Sequence, residues 1–239
     1  MRRRYRRRND GLGRISAIAI ISTIILVCIS YYAILKNEIK QLPTIQTTVK
    51  EEVEAVNNEE DIKKEEIKKP DWIKENYVEI NEYSRPGKKI EKVNAVVIHY
   101  TGNPGTTAAQ HRNYYGELAK TKEASVSSNF VVGIEGEVVQ CVPSDEVAYA
   151  SNNRNSDTLS IEVCHKDKTG IFTDASYESV VKLTAYLCEE FGLSEDQIIR
   201  HYDVTGKKCP IYYVEHEDKW LQLKKDVLES MKTDSWKKN

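Results

Sequence analysis

Val96-Val97-Ile98-His99-Tyr100-Thr101 and Arg200-His201-Tyr202-Asp203-Val204-Thr205-Gly206-Lys207-Lys208-Cys209-Pro210 are two stretches far apart in the chain that read as one site. Each carries a histidine at the end of a hydrophobic run, and the second adds Cys209 eight positions after His201. Two imidazoles and a thiolate occupy three of the four tetrahedral positions of a zinc ion, and the free fourth position distinguishes catalytic from closed structural zinc sites. The pattern points to hydrolytic metal chemistry, with Ile198-Ile199-Arg200-His201 bringing the chain back to the site.

Between these stretches the sequence alternates strands and helices. The first core strand is expected over Ala95 to His99, followed by a helix over Thr106 to Ala119 with Ala108, Arg112 and Tyr115 on one face. Phe130–Ile134 and Val138–Val142 flank Glu135-Gly136-Glu137, the pattern of a β-hairpin. Thr158 to Cys164 reads as a further strand. Asp174 to Phe191 reads as an amphipathic helix with Val181, Ala185 and Cys188 inward and Gly192 as its C-cap, and Asp218 to Met231 as a closing helix. The fold class is α/β, a mixed central β-sheet packed by helices.

The N-terminal third has a different character. Residues 1–14 hold seven arginines and one aspartate, and residues 15–35 form an uncharged run rich in Ile, Ala, Leu and Val. At a rise of about 1.5 Å per residue such a run reaches about 30 Å, the thickness of a bilayer's hydrocarbon core. It ends in Ser30-Tyr31-Tyr32-Ala33-Ile34-Leu35-Lys36 without a small-x-small cleavage pattern, so it reads as a transmembrane signal-anchor. Cys28 follows the bulky Val27 inside the run, which argues against a lipidated cysteine. The positive-inside rule puts the arginines in the cytoplasm and everything after residue 36 outside the cell membrane.

Charge follows this division. The formal net charge of −2 averages +6 in residues 1–14 and −8 in the remainder, where 28 basic side chains face 36 acidic ones. An acidic ectodomain lacks the clustered Lys and Arg that neutralise phosphates, so nucleic acid is not an expected partner. Residues 36–71 are rich in Glu and Lys and poor in aromatics, a flexible charged linker that buries too little apolar surface to fold alone. The catalytic domain is expected over 72–231 and a C-terminal tail over 232–239. Of the five cysteines, Cys141, Cys164 and Cys188 read as buried free thiols.

His99 at a strand end, the hairpin, Ser160-Ile161-Glu162-Val163-Cys164, and His201 followed by Cys209 together resemble the N-acetylmuramoyl-L-alanine amidase family, relatives of phage lysozyme-amidases and peptidoglycan recognition proteins. The resemblance spans about residues 75–225 and implies that His99, His201 and Cys209 ligate Zn2+. It also implies that Glu162 is the carboxylate that moves the proton and that Lys207 stabilises the oxyanion. The substrate it implies is peptidoglycan, cut between N-acetylmuramic acid and L-alanine. Without the resemblance Glu162 is equally a solvated strand residue or an ion-pair partner, and Lys207 stands beside an equivalent Lys208. A peptidoglycan-binding module without catalysis is the alternative, but such modules typically lose the ligand cysteine.

Three further histidines are weaker candidates. His111 and His216 have polar neighbours, and His165 lies near enough to Cys164 to enter the cleft in a structural or substrate-edge role. Two departures from the family's pattern concern the wall of the cleft. Asn129 stands where many members have histidine, and Ala148-Tyr149-Ala150-Ser151-Asn152 where they have Ala-Trp-His-Ala-Gly. Both are expected to alter wall shape and substrate preference.

Overall fold

The computed structural model describes residues 26, 28–39 and 67–238. The chain divides into two compact units, 1–66 and 67–239. In the first, residues 28–39 form helix α1, with exposed side chains. Residues 15–25 and 27 of the expected span lie outside the described residues, as do the arginine-rich segment 1–14 and residues 40–66 of the linker. Among the described residues no helix is long and apolar enough to cross a membrane.

The second unit is a mixed α/β fold built on a six-stranded sheet of order β1-β4-β3-β5-β2-β6. Its strands are β1 (Ile73–Glu75), β2 (Ala95–Tyr100), β3 (Phe130–Val132), β4 (Val138–Gln140), β5 (Thr158–Val163) and β6 (Ile198–Arg200). β3, β5, β2 and β6 run parallel, β4 pairs antiparallel with β3, and β1 lies parallel to β4 at the edge. Only Tyr100 of β2 is not fully buried, as befits a central strand covered on both faces. β1 is not among the strands expected from the sequence, because three residues are too few to show an alternating pattern.

The helices are α2 (Ala108–Thr121), α3 (Asp174–Phe191), α4 (His201–Thr205), α5 (Ile211–Glu215) and α6 (Glu217–Lys232). α2 starts two residues later than expected because Thr107 caps it, its side chain accepting from the Gln110 amide while the Gln110 side chain accepts from the Thr107 amide. Arg112, half-buried, donates to the carbonyls of Asn76 and Tyr77, and His111 is buried with Ala108, Tyr115 and Leu118. α3 has the expected bounds, fixed by Thr173 accepting from the Ser176 amide and by Gly192 in the left-handed conformation. Its buried set is wider than expected. Ala185 and Cys188 are inside, Val181 is only half-buried, and Ser176, Val180, Leu183, Thr184, Tyr186 and Leu187 are buried as well. The cause is that α3 packs both on the sheet and against α6, so burial covers more than one stripe.

Strand parity divides the sheet into two faces. One carries Val96, Ile98, Phe130, Val132, Leu159, Ile161 and Val163 into the core under α3 and α6. The other carries Val131, Val139, Cys141 and Cys164 against Ala108 and Tyr115 of α2, and on it His99 and Glu162 lie. Trp236, at a position that reads as C-terminal tail, is 3% exposed, with its ring 5.5 Å from that of Tyr186, and its carbonyl accepts from Trp72 Nε1 at 3.1 Å. Cys141, Cys164 and Cys188 are buried free thiols, each pushed up to about 12 by burial.

Ion pairs join the segment before β2 to the loop after β4, and the most buried of them is Arg85 with Glu146. Arg85 donates from Nε and Nη2 to the two carboxylate oxygens of Glu146 at 2.7 and 3.1 Å, and from Nη1 to the Val78 carbonyl. Hydrogen bonding to Arg85, with the charges of Arg85 and Lys89 behind it, holds the Glu146 carboxyl below the usual range. A depressed folded pKa stabilises above the unfolded carboxylate pKa, and that stability disappears as pH falls through the folded value. Glu146→Gln should therefore cost about 1.5–3 kcal/mol at neutral pH, the range for a hydrogen bond to a charged group. In urea melts the gap between wild type and variant should close as pH is lowered into the acidic range, and a pH-independent gap would contradict this account.

Candidate metal centre

The register of three parallel strands builds the site. His99 on β2 lies opposite Glu162 on β5, and Ile98 lies opposite Arg200, the last residue of β6. His201 therefore emerges beside His99 as the first residue of α4, and the two rings are 4.6 Å apart. Arg200 fixes where β6 ends. It donates from Nε and Nη2 to Asp203 and from Nη1 to Glu217 and the Tyr213 carbonyl, while Asp203 accepts from the Arg200 amide.

Cys209 reaches the same point by a tight return. Gly206 ends α4 with φ 78°, a conformation that costs a residue with a side chain. The Cys209 amide then donates to the Lys207 carbonyl at 2.7 Å, and the Cys209 carbonyl accepts from the Tyr202 amide at 2.9 Å. Sγ comes to rest 3.8 Å from His99 Nδ1.

His99, His201 and Cys209 are all buried, and one ligand atom from each lies within 4.8 Å of the other two. Zinc bonds of about 2.0–2.1 Å to nitrogen and 2.3 Å to sulfur put tetrahedral ligand atoms about 3.5 Å apart, so the triad fits such an ion after a small contraction. Protonation favours the same reading. Burial first, then the charges of His201 and Lys207, pushes His99 well below the ordinary imidazole range, leaving it neutral and able to ligate. Burial and Lys207 lower His201 as well. The Cys209 thiol is pushed up to about 12 by burial and by Glu162, so a cation must displace its proton to bind.

Glu162 lies beside the triad, Oε1 3.9 Å from His99 Nδ1, and burial pushes it up to about 8 against the pull of Lys207. Its Oε2 is buried without a hydrogen-bond partner among the described residues, as are Thr101 Oγ1 and His165 Nε2, all at the C-terminal ends of β2 and β5. The two lysines separate clearly. Lys208 is engaged by Glu215 at 2.8 Å, whereas the charge of Lys207 acts on His99, His201, Glu162 and Cys209 together.

The other histidines stay outside the triad. His165 is buried and donates from Nδ1 to the Asp167 carbonyl at 2.6 Å, with its ring 5.0 Å from that of Tyr100. His111 Nε2 is paired with Thr106 Oγ1 at 2.7 Å. His216 precedes α6 with its ring stacked on Tyr212.

Comparison with known proteins places these residues in a family context. Residues 89–211 match the family described as N-acetylmuramoyl-L-alanine amidase, a range that contains His99, Glu162, His201, Lys207 and Cys209. The N-acetylmuramoyl-L-alanine amidase CwlL of Bacillus licheniformis is 33% identical over 168 residues, covering 65% of this chain and 46% of that protein. The N-acetylmuramoyl-L-alanine amidase BlyA of Bacillus subtilis is 32% identical over 176 residues, with coverage of 65% and 46%. The chain thus spans about half the length of the curated relatives it matches. Among solved structures, a mutant endolysin from Bacillus subtilis superposes with a TM-score of 0.54 at 25% identity, covering 65% of this chain and 97% of that one. The catalytic domain of PlyG shares the fold, with a TM-score of 0.57 at 19% identity over 66% of this chain and 94% of that one.

The two departures from the family's sequence pattern occupy different places. Ser151, which is buried, and Asn152, which is exposed, lie beside the two imidazoles, with Ser151 Oγ 3.3 Å from His99 Nε2 and Asn152 Oδ1 3.0 Å from His201 Nε2. Asn129 is wholly buried. Its Oδ1 accepts from the Ser160 amide and hydroxyl, and its Nδ2 donates to the carbonyls of Pro143 and Glu146. It ties β3 to β5 and to the loop after β4, and cannot touch a substrate. Removing it leaves several buried groups unpaired at about 1–3 kcal/mol each, so Asn129→Ala should destabilise the chain by at least about 3 kcal/mol in denaturant melts. An Asn129→Ala chain of normal stability with altered substrate preference would return this residue to the wall.

Proposed function

Because the chain belongs to the N-acetylmuramoyl-L-alanine amidase family, we propose that it is a zinc-dependent hydrolase that cuts the amide between the lactyl group of N-acetylmuramic acid and L-alanine in peptidoglycan. The observation that carries this reading is the convergence of His99, His201 and Cys209 beside Glu162, whose buried Oε2 has no hydrogen-bond partner among the described residues. His99, His201 and Cys209 would hold the zinc, which when bound supplies Lewis-acid polarisation of the amide carbonyl and of the attacking water.

The chain's own residues handle the protons and the charge. Glu162 takes the water's proton and delivers it to the departing L-alanine nitrogen, so that the C–N bond breaks to give a lactyl carboxylate and a free amine. A carboxyl held near 8 by burial is poised for that exchange close to neutral pH, and the pull of Lys207, or of any bound cation, brings its ionised form within reach. Lys207 offers positive charge to the carbonyl oxygen as it becomes an oxyanion. The convergence of Glu162 with all three ligand residues favours catalysis over a binding-only module.

We also propose that residues 15–35 anchor the chain in the cell membrane with the arginine-rich segment in the cytoplasm and the catalytic unit outside. The uncharged run and its basic flank support this reading. A linker of about 35 residues has a root-mean-square reach of roughly 30–35 Å, which restricts hydrolysis to wall near the membrane. Fractionation should find the chain in membranes and release it with detergent, while a chain lacking residues 1–35 should be soluble. Native protein found in the medium and cut near residue 36 would exclude the anchor.

Digestion of purified peptidoglycan tests the reaction. New L-alanine amino termini should appear with the wild-type chain, vanish on exhaustive chelation, and return with zinc. Glu162→Gln should lower turnover by about 100- to 10,000-fold, the contribution of a positioned general base, and leave zinc content unchanged. Cys209→Ser should lose zinc. Full hydrolysis by verified metal-free protein would overturn the metal assignment, and near-normal turnover by Glu162→Gln would overturn the role of the carboxylate.

A further inference from the structure

The metal-facing side of His99 is set by its surroundings. Nδ1 points to Cys209 Sγ at 3.8 Å and to Glu162 Oε1 at 3.9 Å, so any ion shared with Cys209 is bound through Nδ1. A neutral imidazole with a free Nδ1 lone pair carries its proton on Nε2, and that proton needs an acceptor in a buried site. Ser151 Oγ, on a residue 1% exposed, lies 3.3 Å away. The next residue does the same for the second ring. Asn152 Oδ1 is 3.0 Å from His201 Nε2, and a carbonyl oxygen accepts only, which puts the proton on Nε2 and leaves Nδ1 for the ion.

The loop is built to hold these two acceptors still. Asn155 Oδ1 accepts from the amides of both Ala150 and Ser151, at 3.1 and 2.6 Å. The Arg154 and Asn155 amides donate back to the Ser151 and Asn152 carbonyls, closing a 3-10 turn over Asn152–Arg154. Tyr149 is pinned on the other side, its amide donating to Ser127 Oγ and its carbonyl accepting from the Ser127 amide. Asn152 adopts φ 52°, a left-handed conformation that asparagine tolerates better than most residues with a side chain. Consecutive Cα atoms are about 3.8 Å apart, close to the 4.6 Å between the two ring centroids, so one short segment reaches both rings.

We propose that Ser151 and Asn152 are positioning residues that lock His99 and His201 in the Nε2–H tautomer with Nδ1 turned to the metal. They act through the imidazoles. The inference rests on reading His99, His201 and Cys209 as the metal ligands, and its test has an arm that needs no metal.

That arm is imidazole nitrogen NMR on the metal-free full-length chain in detergent. Wild type should show both rings with a protonated Nε2 and an unprotonated Nδ1. Ser151→Ala should convert His99, and Asn152→Gly should convert His201, to a mixture of tautomers; glycine adopts the left-handed backbone without strain, so the loop is kept. In chelator competition each variant should bind zinc about 10- to 100-fold more weakly, the usual cost of losing a ligand's outer hydrogen bond. Asn152→Asp, which keeps an acceptor at the same place, should restore the His201 tautomer and wild-type zinc affinity. A protonated Nδ1 in the wild-type rings overturns the proposal whatever the variants do, and so does wild-type zinc affinity in Ser151→Ala and Asn152→Gly, each residue standing on its own variant. Failure of Asn152→Asp to improve on Asn152→Gly removes the role of Asn152. A wild-type chain that takes up no zinc sinks the ligand assignment instead, and the tautomer signals still decide the positions of the two protons.

Discussion

Parallel pairing of β2 with β5 on one side and β6 on the other is the constraint from which the site follows. Side chains in register on adjacent parallel strands point to the same face, so one pairing sets Glu162 beside His99 and the other delivers His201 to the same corner. A slip of one residue would turn His99 into the hydrophobic face beneath α3 and α6, which carries Val96 and Ile98. The apolar residues that precede His99 therefore do more than fill the core. They fix the register that brings His99, His201 and Glu162 together.

Burying two imidazoles, a thiol and a carboxyl together is costly unless each finds a partner. The protein supplies some partners itself, Ser151 and Asn152 for the outer nitrogens, and leaves others open, notably Glu162 Oε2. Without a cation, burial drives every one of these groups toward its neutral form: His99 and His201 down, Glu162 and Cys209 up. A divalent ion would reverse this for the acids by adding positive charge to that of Lys207.

Much of this was legible in the sequence because it is written in local chemistry. His99 closes a hydrophobic run, α3 is bracketed by Thr173 and Gly192, and the hairpin turns on Gly136, each a signal within a few residues. The pairing order of the strands was not, since nothing local says that β6 joins β2 rather than the edge near β1. Asn129 illustrates a deeper limit: a polar residue before a strand looks exposed, and only the folded chain brings Ser160 and two carbonyls around its amide. Ser151 and Asn152 were legible as departures from a family pattern, but their direction depends on Asn155 clamping the loop, a contact that no periodicity announces.

The central claim is that one thiolate and two imidazoles hold the ion while Glu162 stands next to it without ligating. X-ray absorption at the zinc edge of the loaded full-length chain reads that shell directly. The account predicts one sulfur at about 2.3 Å with two imidazole nitrogens at about 2.0–2.1 Å and one light atom from solvent, unchanged in Glu162→Gln. A shell without sulfur, or one that loses a protein oxygen when Glu162 is replaced, would contradict it.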